Sequence, residues 1–527
     1  MEPVADSFSK IDWMVVILYL AATTWIGHRL RGRQAGLHDF FRAGRSLPWP
    51  AVAGSIIATE ISALTFIGVP AMVFAVGGDF TYLQWALGSV AARAMVAWLL
   101  VPRYYHSEIY SPYDYMGHRL GVSVKRLTTG LFFLGAVLGQ SVRVLVTALI
   151  LRTVTGMDFT HCIGWIALFA VGWTLMGGMA TVIWTDVVQF FLFVGGGLAA
   201  LVWMVWALPG GVSEWLAVAG AEGKFRVWNL STDPAVGFTL WVGILAMPFQ
   251  NLAAFGTDQL NAQRMLCCRS VGDARRAIVW SSVSQGITLL MLAVGSALFC
   301  YYQAYPPVGE VLALFQSNGD TVFPVWITTV LPVGLSGLVL AGAFAAAISS
   351  LDSLLTALSQ TTLSLFRSSE QESGRSMRWS RLLVVIWGLI LALFAMGLEL
   401  VRGDINLVNL AFGMVTYTYG PMLGILILAL LPMRVRWVAL CVGVLLSICL
   451  VLWIRPDLEA LFRAAGWWMQ EESWKRPALH YAWLYPLTTA VTVLAGLLGS
   501  QEAAAFLKRS FTQCKTLLAD WHRSHWS

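Results

Sequence analysis

The sequence predicts an all-α polytopic membrane protein, and three observations carry that prediction. Hydrophobic residues make up 58% of the chain and charged residues only 12%, about half the charged share of a soluble domain. The apolar residues gather in runs of roughly the 20 needed to cross a bilayer as helix. The basic residues gather in alternate loops between those runs, as the positive-inside rule requires.

The first run, about Trp13 to Gly27, follows Glu2 and Asp6 and precedes His-Arg-Leu-Arg-Gly-Arg. An acidic start and a basic stop-transfer flank mark a membrane helix and not a cleavable signal. Helices are expected near 12–29, 50–74, 79–103, 125–151, 159–176, 179–207, 236–256 and 274–302. Others are expected near 335–366, 380–399, 405–431, 435–454 and 480–500, about thirteen in all. The apolar stretch Val322–Leu331 is too short to span and reads as a helix lying against the membrane outside.

Arg29, Arg31, Arg33, Arg42 and Arg45 crowd one loop; Arg103, Arg119, Lys125 and Arg126 the next but one. Arg264, Arg269, Arg275 and Arg276, then Arg367, Arg375, Arg378 and Arg381, follow at the same alternation. These loops are read as cytoplasmic, which puts the N-terminus outside and the C-terminus inside. One transmembrane domain over 1–500 and a basic cytoplasmic tail over 501–527 are expected. The net charge of +6 is spread over these loops and not concentrated in a soluble module, so a nucleic-acid partner is not expected. The seven cysteines lack a zinc-ligand spacing and read as small apolar fillers.

Polar residues inside membrane helices are costly and usually functional. Glu60 sits mid-span in Ala58-Thr59-Glu60-Ile61-Ser62-Ala63-Leu64-Thr65, with Gly54 before it and Gly68 and Pro70 after. Such interruption predicts a broken helix whose unwound carbonyls face a cation, or a kinked packing helix. In Ala346–Ser353, about 100° per residue puts Ser349, Ser353, Ala346, Thr356 and Asp352 on one face, with Ser350 at its edge and leucines opposite. Hydroxyl and carboxylate oxygens suit a hard cation, the alternative being serine hydroxyls that bond back to their own helix. Asp186 and Gln189 share a face in Thr181–Gln189, after Gly177-Gly178, where Asp186 either belongs to a site or sits near a helix N-terminus and answers its dipole.

Six motifs stand in one order: Phe41-Arg42-Ala43-Gly44-Arg45-Ser46, the segment around Glu60, Ser111-Pro112-Tyr113-Asp114-Tyr115, Ile183–Asp186, Gly256-Thr257-Asp258-Gln259 with Gln263-Arg264, and Ser349-Ser350-Leu351-Asp352-Ser353. Together, from about residue 38 to 430, they resemble the sodium:solute symporter family. The resemblance implies a LeuT-type core of inverted five-helix repeats, here about 50–207 and 236–431, with Pro248-Phe249-Gln250-Asn251 interrupting the second repeat as Glu60 interrupts the first. It implies sodium as the co-transported ion, held by carbonyls of Ala58, Ile61 and Ala346 and hydroxyls of Ser349 and Ser350. Some members hold a second sodium. Asp186 and Ser353 match that pattern, while Asp352 stands where they have Ser or Thr, and either strengthens the second ion or is protonated and disables it. Glu60, Ser62, Thr65, Gln84 and Asn251 fall where relatives hold substrate. Arg143, a cation inside a span, either meets a carboxylate substrate or pairs with Glu60.

The resemblance thus implies a sodium-coupled symporter importing a sugar, sialic acid or carboxylate by alternating access across the plasma (inner) membrane. Its partners are that solute, sodium and the bilayer, with no obligate protein partner. A transporter-like sensor that binds solute without net transport is the alternative from another class. An enzyme is not expected, since no HExxH or GxSxG pattern appears.

Overall fold

The computed structural model describes residues 8–30, 43–176, 179–366, 374–401, 407–457 and 476–500. The expected tail, 501–527, and most of the loop near 455–479 lie outside the described residues. The described chain is helical throughout, with only two isolated β-bridges.

Eleven helices position the site: α1 (Trp49–Glu60), α2 (Ala63–Phe74), α3 (Trp85–Met95), α4 (Val122–Thr155), α5 (Met179–Ala207), α6 (Met247–Gly256), α7 (Gln259–Met265), α8 (Ser284–Ala304), α9 (Leu335–Phe366), α10 (Thr416–Leu430) and α11 (Leu484–Leu498). The α1–α2 pair lies among α5, α8 and α9, while α3, α6, α10 and α11 pack in sequence beside it.

The expected break near Glu60 is present: α1 and α2 are bent by 54°. Ile61 (φ −79°, ψ 110°) and Ser62 (φ −117°, ψ 177°) are extended. The Ile61 N–H still closes α1 onto Ile57 O, and Ser62 Oγ accepts from Leu64 N at 3.3 Å to start α2. A helix end leaves its last four carbonyls without intrahelical donors, so the break turns those of α1 toward other partners.

The expected fold class requires correction. The all-α polytopic architecture stands, but among the described residues eight helices are long and apolar enough to span, or nine if α1–α2 counts as one. The count of about thirteen overstated this, because an apolar run is not the same as an apolar helix. Val242–Gly256, for one, is apolar but short. The LeuT-type inverted-repeat core also fails as a description. It required a second broken span at Pro248, and α1–α2 is the single sharply bent pair among the described residues. Around Pro248 a π turn, Val242–Ala246, runs into α6. Pro248 sits in the first turn of α6, where its missing N–H costs little.

Val322–Val330 forms the expected helix, but with Phe323, Val325 and Trp326 fully buried it lies inside the fold and not upon it. The described cysteines are all free, four of them buried.

One glycine fixes where α2 sits. A Cβ on Gly295 of α8 would meet Pro70 O at 2.6 Å and Val73 Cβ at 2.8 Å, both rigid. Gly295→Ala is therefore expected to lose about 1–3 kcal/mol of stability by overpacking. Gly286→Ala on the same helix, where a Cβ meets nothing within 4 Å, should lose little. Thermal unfolding in detergent compares the two, and equal midpoints would show that α2 gives way freely.

Candidate functional site

The α1 end and the serine face of α9 meet. Ser350, fully buried, donates to Thr59 O at 3.4 Å, and Arg143 Nη1 of α4 donates to the same oxygen at 3.0 Å. One carbonyl freed by the break is thus held from two sides. Ala58 and Ile61 are buried on either side of it. Ala346 and Ser349 lie in α9 by backbone; their side chains fall outside the described set.

Beside this junction lies a cavity of about 180 Å³. Glu60, Ser62, Thr65, Asn251 and Arg143 line it, together with Tyr82, Trp85, Phe255, Asp258 and Tyr419. Gln84 does not. It is buried and turned toward the loop before α6, donating to Thr81 O (3.2 Å) and Phe238 O (3.3 Å) and accepting from Asn229 N (3.3 Å). Asn251 donates to Met247 O of its own helix at 3.0 Å.

Glu60 pairs with Arg93 of α3 and not with Arg143. Arg93 is completely buried, stacks 4.4 Å from the Phe255 ring centroid, and also donates to Ser89 Oγ (2.9 Å) and Ser284 Oγ (3.1 Å). The sequence reading passed over Arg93, although an arginine inside an apolar span is the same signal that singled out Arg143. Asp258 was also missed as a cavity residue. Its Oδ1 caps α7 through Leu260 N (2.9 Å), and its Oδ2 accepts from Tyr419 OH (2.7 Å).

Asp186 and Ser353 are brought together by a residue assigned to a loop. Arg264, fully buried in α7, donates from Nη2 to Asp186 Oδ2 (3.1 Å) and Ser353 Oγ (2.5 Å), and from Nε to Ser55 Oγ (2.8 Å). Ser55 in turn donates to Asp186 Oδ2 at 2.5 Å. Ser353 donates to Asp352 Oδ1 at 3.2 Å, so both carboxylates and the guanidinium belong to one buried cluster. Arg264 therefore says nothing about loop charge.

An aromatic group flanks the cavity at Trp85, whose ring lies 5.0 Å from Phe238, 5.4 Å from Phe412 and 6.3 Å from His480. Burial, aided by Arg455, pushes His480 down to about 4, so it packs as a neutral ring at neutral pH.

A polytopic helical protein with a broken span, buried charge pairs and a polar cavity beside the break has the construction of a membrane solute carrier. Residues 40–444 match the model of the sodium:solute symporter family, and the chain belongs to that family. It is 30% identical over 466 residues to the sodium/sialic acid symporter SiaT of Proteus mirabilis, covering 86% of this chain and 92% of that one. It is also 30% identical over 376 residues to the sodium/glucose cotransporter of Vibrio parahaemolyticus, covering 67% and 68%. Its fold is similar, with TM-score 0.76 and 27% identity, to the substrate-bound outward-open state of a sodium-coupled sialic acid symporter, covering 93% and 97%. That likeness replaces the thirteen-helix LeuT-type description. The chain is a multi-pass sodium-coupled secondary transporter of a small organic solute, with sodium as co-transported ion.

Proposed function

We propose that the chain imports a hydroxylated organic carboxylate together with sodium, by alternating access, with the N-terminus outside and the C-terminus in the cytoplasm. One transporter domain over 1–500 carries this, the basic 501–527 tail lying inside. The observation that supports the solute class most is Arg143. It spends one N–H on Thr59 O and lines the cavity, so the rest of its planar fork suits a carboxylate. Sialic acid, which the name of the Proteus mirabilis relative gives as its solute, is such a solute.

The principal sodium takes carbonyls of Ala58, Ile61 and Ala346 and hydroxyls of Ser349 and Ser350. Binding there pins α1 against α9 and orders the carbonyl that also holds Arg143, which couples ion to solute. Asp186, Asp352 and Ser353 form the position for a further cation. With Arg264 among them, two carboxylates and one guanidinium leave a net −1 when all are ionised. Ser62, Thr65 and Asn251 complete the solute site; Gln84 acts behind it through the 229–238 loop.

Uptake of N-acetylneuraminate and D-gluconate into proteoliposomes, with an inward sodium gradient and without one, tests the reading. Sodium-driven uptake of at least one is expected, and Arg143→Ala should lower it by about a hundredfold, the loss of a bidentate charged contact. Uptake indifferent to sodium, or to Arg143, would overturn it.

A further inference from the structure

Beyond that reading, and resting on it only for the carboxylate at Arg143, we propose that Arg93 is a positioning residue. It holds Glu60 so that one carboxylate oxygen faces the cavity and accepts a hydrogen bond from a hydroxyl of the solute.

The two members of the pair are placed differently. The Arg93 side chain is 0% exposed, whereas the Glu60 side chain is 27% exposed and lines the cavity. Arg93 is tied down by Ser89, Ser284 and the face of Phe255, so it does not follow Glu60 outward. The pair is therefore buried on the arginine side and open to the cavity on the carboxylate side. Here Arg93 engages Glu60 Oε2, and among the described residues none donates to Oε1. The other cavity carboxylate differs in this respect. Both oxygens of Asp258 are engaged, by Leu260 N and Tyr419 OH.

The charge of the pair selects the donor. Glu60 already has its counter-ion, and Arg143 adds a second guanidinium to the same cavity wall. An ammonium brought to Oε1 meets a carboxylate whose charge Arg93 already offsets, while Arg143 and Asp258 offset one another on the same wall, so no net charge repays its desolvation. A neutral hydroxyl gains a hydrogen bond to an ionised acceptor at a smaller desolvation cost. The site thus reads hydroxylated acids and rejects zwitterionic amino acids of similar size.

The test measures KM of sodium-driven uptake, in proteoliposomes, for N-acetylneuraminate, its mono-deoxy analogues and, as a pair of 2-O-methyl ketosides that keep the ring closed, N-acetylneuraminate and the free-amine neuraminate. In the wild type at least one deoxy analogue should be about tenfold or more weaker, the size of a lost bond to a charged acceptor. Glu60→Gln should shrink that difference to about threefold, because an amide bonded to Arg93 through its oxygen turns N–H to the solute, which the same hydroxyl accepts as a neutral and weaker bond. Arg93→Ala should shrink it as well, by releasing Glu60, and Arg93→Lys should restore part of it. A deoxy penalty unchanged in Glu60→Gln overturns the proposal. So does an Arg93→Ala protein that loses yield but keeps the penalty, which would make Arg93 structural. A wild type that prefers neuraminate overturns the hydroxyl assignment. Failure of the wild type to take up N-acetylneuraminate and D-gluconate alike overturns the carboxylate reading itself, a result distinct from uptake that ignores the deoxy series.

Discussion

Arg264→Ala is expected to destabilise the folded protein by about 3–5 kcal/mol, the usual loss when one partner of a buried ion pair is removed. The side chains of Arg264 and Asp186 are 1% and 0% exposed, so no solvent replaces the guanidinium. Its loss leaves Asp186 with Ser55 and places a second carboxylate, Asp352, in the same cluster through Ser353. Two desolvated carboxylates then repel across a low dielectric. Arg264→Lys should recover only part of the loss. A single ammonium does not reproduce the fork that reaches Ser55 from Nε, Leu260 O from Nη1 and both Asp186 and Ser353 from Nη2. The double variant Arg264→Ala/Asp186→Asn removes both charges and should be more stable than Arg264→Ala alone, since neighbouring sites couple. Thermal unfolding in detergent measures all three. An Arg264→Ala midpoint equal to that of the wild type would show that the cluster is not the buried charge pair described.

The contrast between Arg264 and Glu60 shows what a sequence reveals about such a site. The break at Ile61–Ser62 was legible because its causes are local: a mid-span carboxylate, flanking Gly and Pro, and a serine able to cap the second half. The polar face of α9 was legible because helical period alone groups Ser349, Ser353 and Thr356, with Asp352 on the flank of that face. Arg264 and Arg93 were not legible in their roles, since each finds its carboxylate on a helix far away in sequence, 78 residues for Asp186 and 33 for Glu60. Run length and charge read Arg264 as a loop residue, and only tertiary packing says otherwise. Gln84 illustrates the same limit from the other side. Its place immediately before α3 is local, but which way its amide turns is decided by Phe238 and Asn229. The helix count went astray for a related reason. Apolar runs do not show where a π turn such as Val242–Ala246 shortens or joins helices.

Ser350→Ala is expected to raise the sodium concentration for half-maximal uptake by about tenfold or more, while lowering stability by only about 1 kcal/mol. The two effects separate because, with sodium at the proposed site, the hydroxyl has two different partners to lose. Its bond to Thr59 O is long, at 3.4 Å, and neutral hydrogen bonds of this kind contribute about 0.5–1.5 kcal/mol. An oxygen facing an alkali cation contributes as a charged contact does, about 1.5–3 kcal/mol. Ser350→Thr keeps the oxygen and should keep sodium activation near that of the wild type. The driving force is untouched in either variant. One sodium crossing 100 mV supplies about 2.3 kcal/mol, and a tenfold gradient adds about 1.4. The concentration ratio reached at equilibrium therefore stays the same, roughly several hundred-fold for one ion. What changes is the sodium needed to reach it at a useful rate, because occupancy of the junction between α1 and α9 biases the conformational equilibrium only when the ion binds. Sodium titrations of uptake at fixed voltage read the first quantity, and accumulation ratios at saturating sodium read the second. If Ser350→Ala lowers the accumulation ratio but leaves the sodium titration unmoved, the cation is held somewhere other than where the broken helix meets α9.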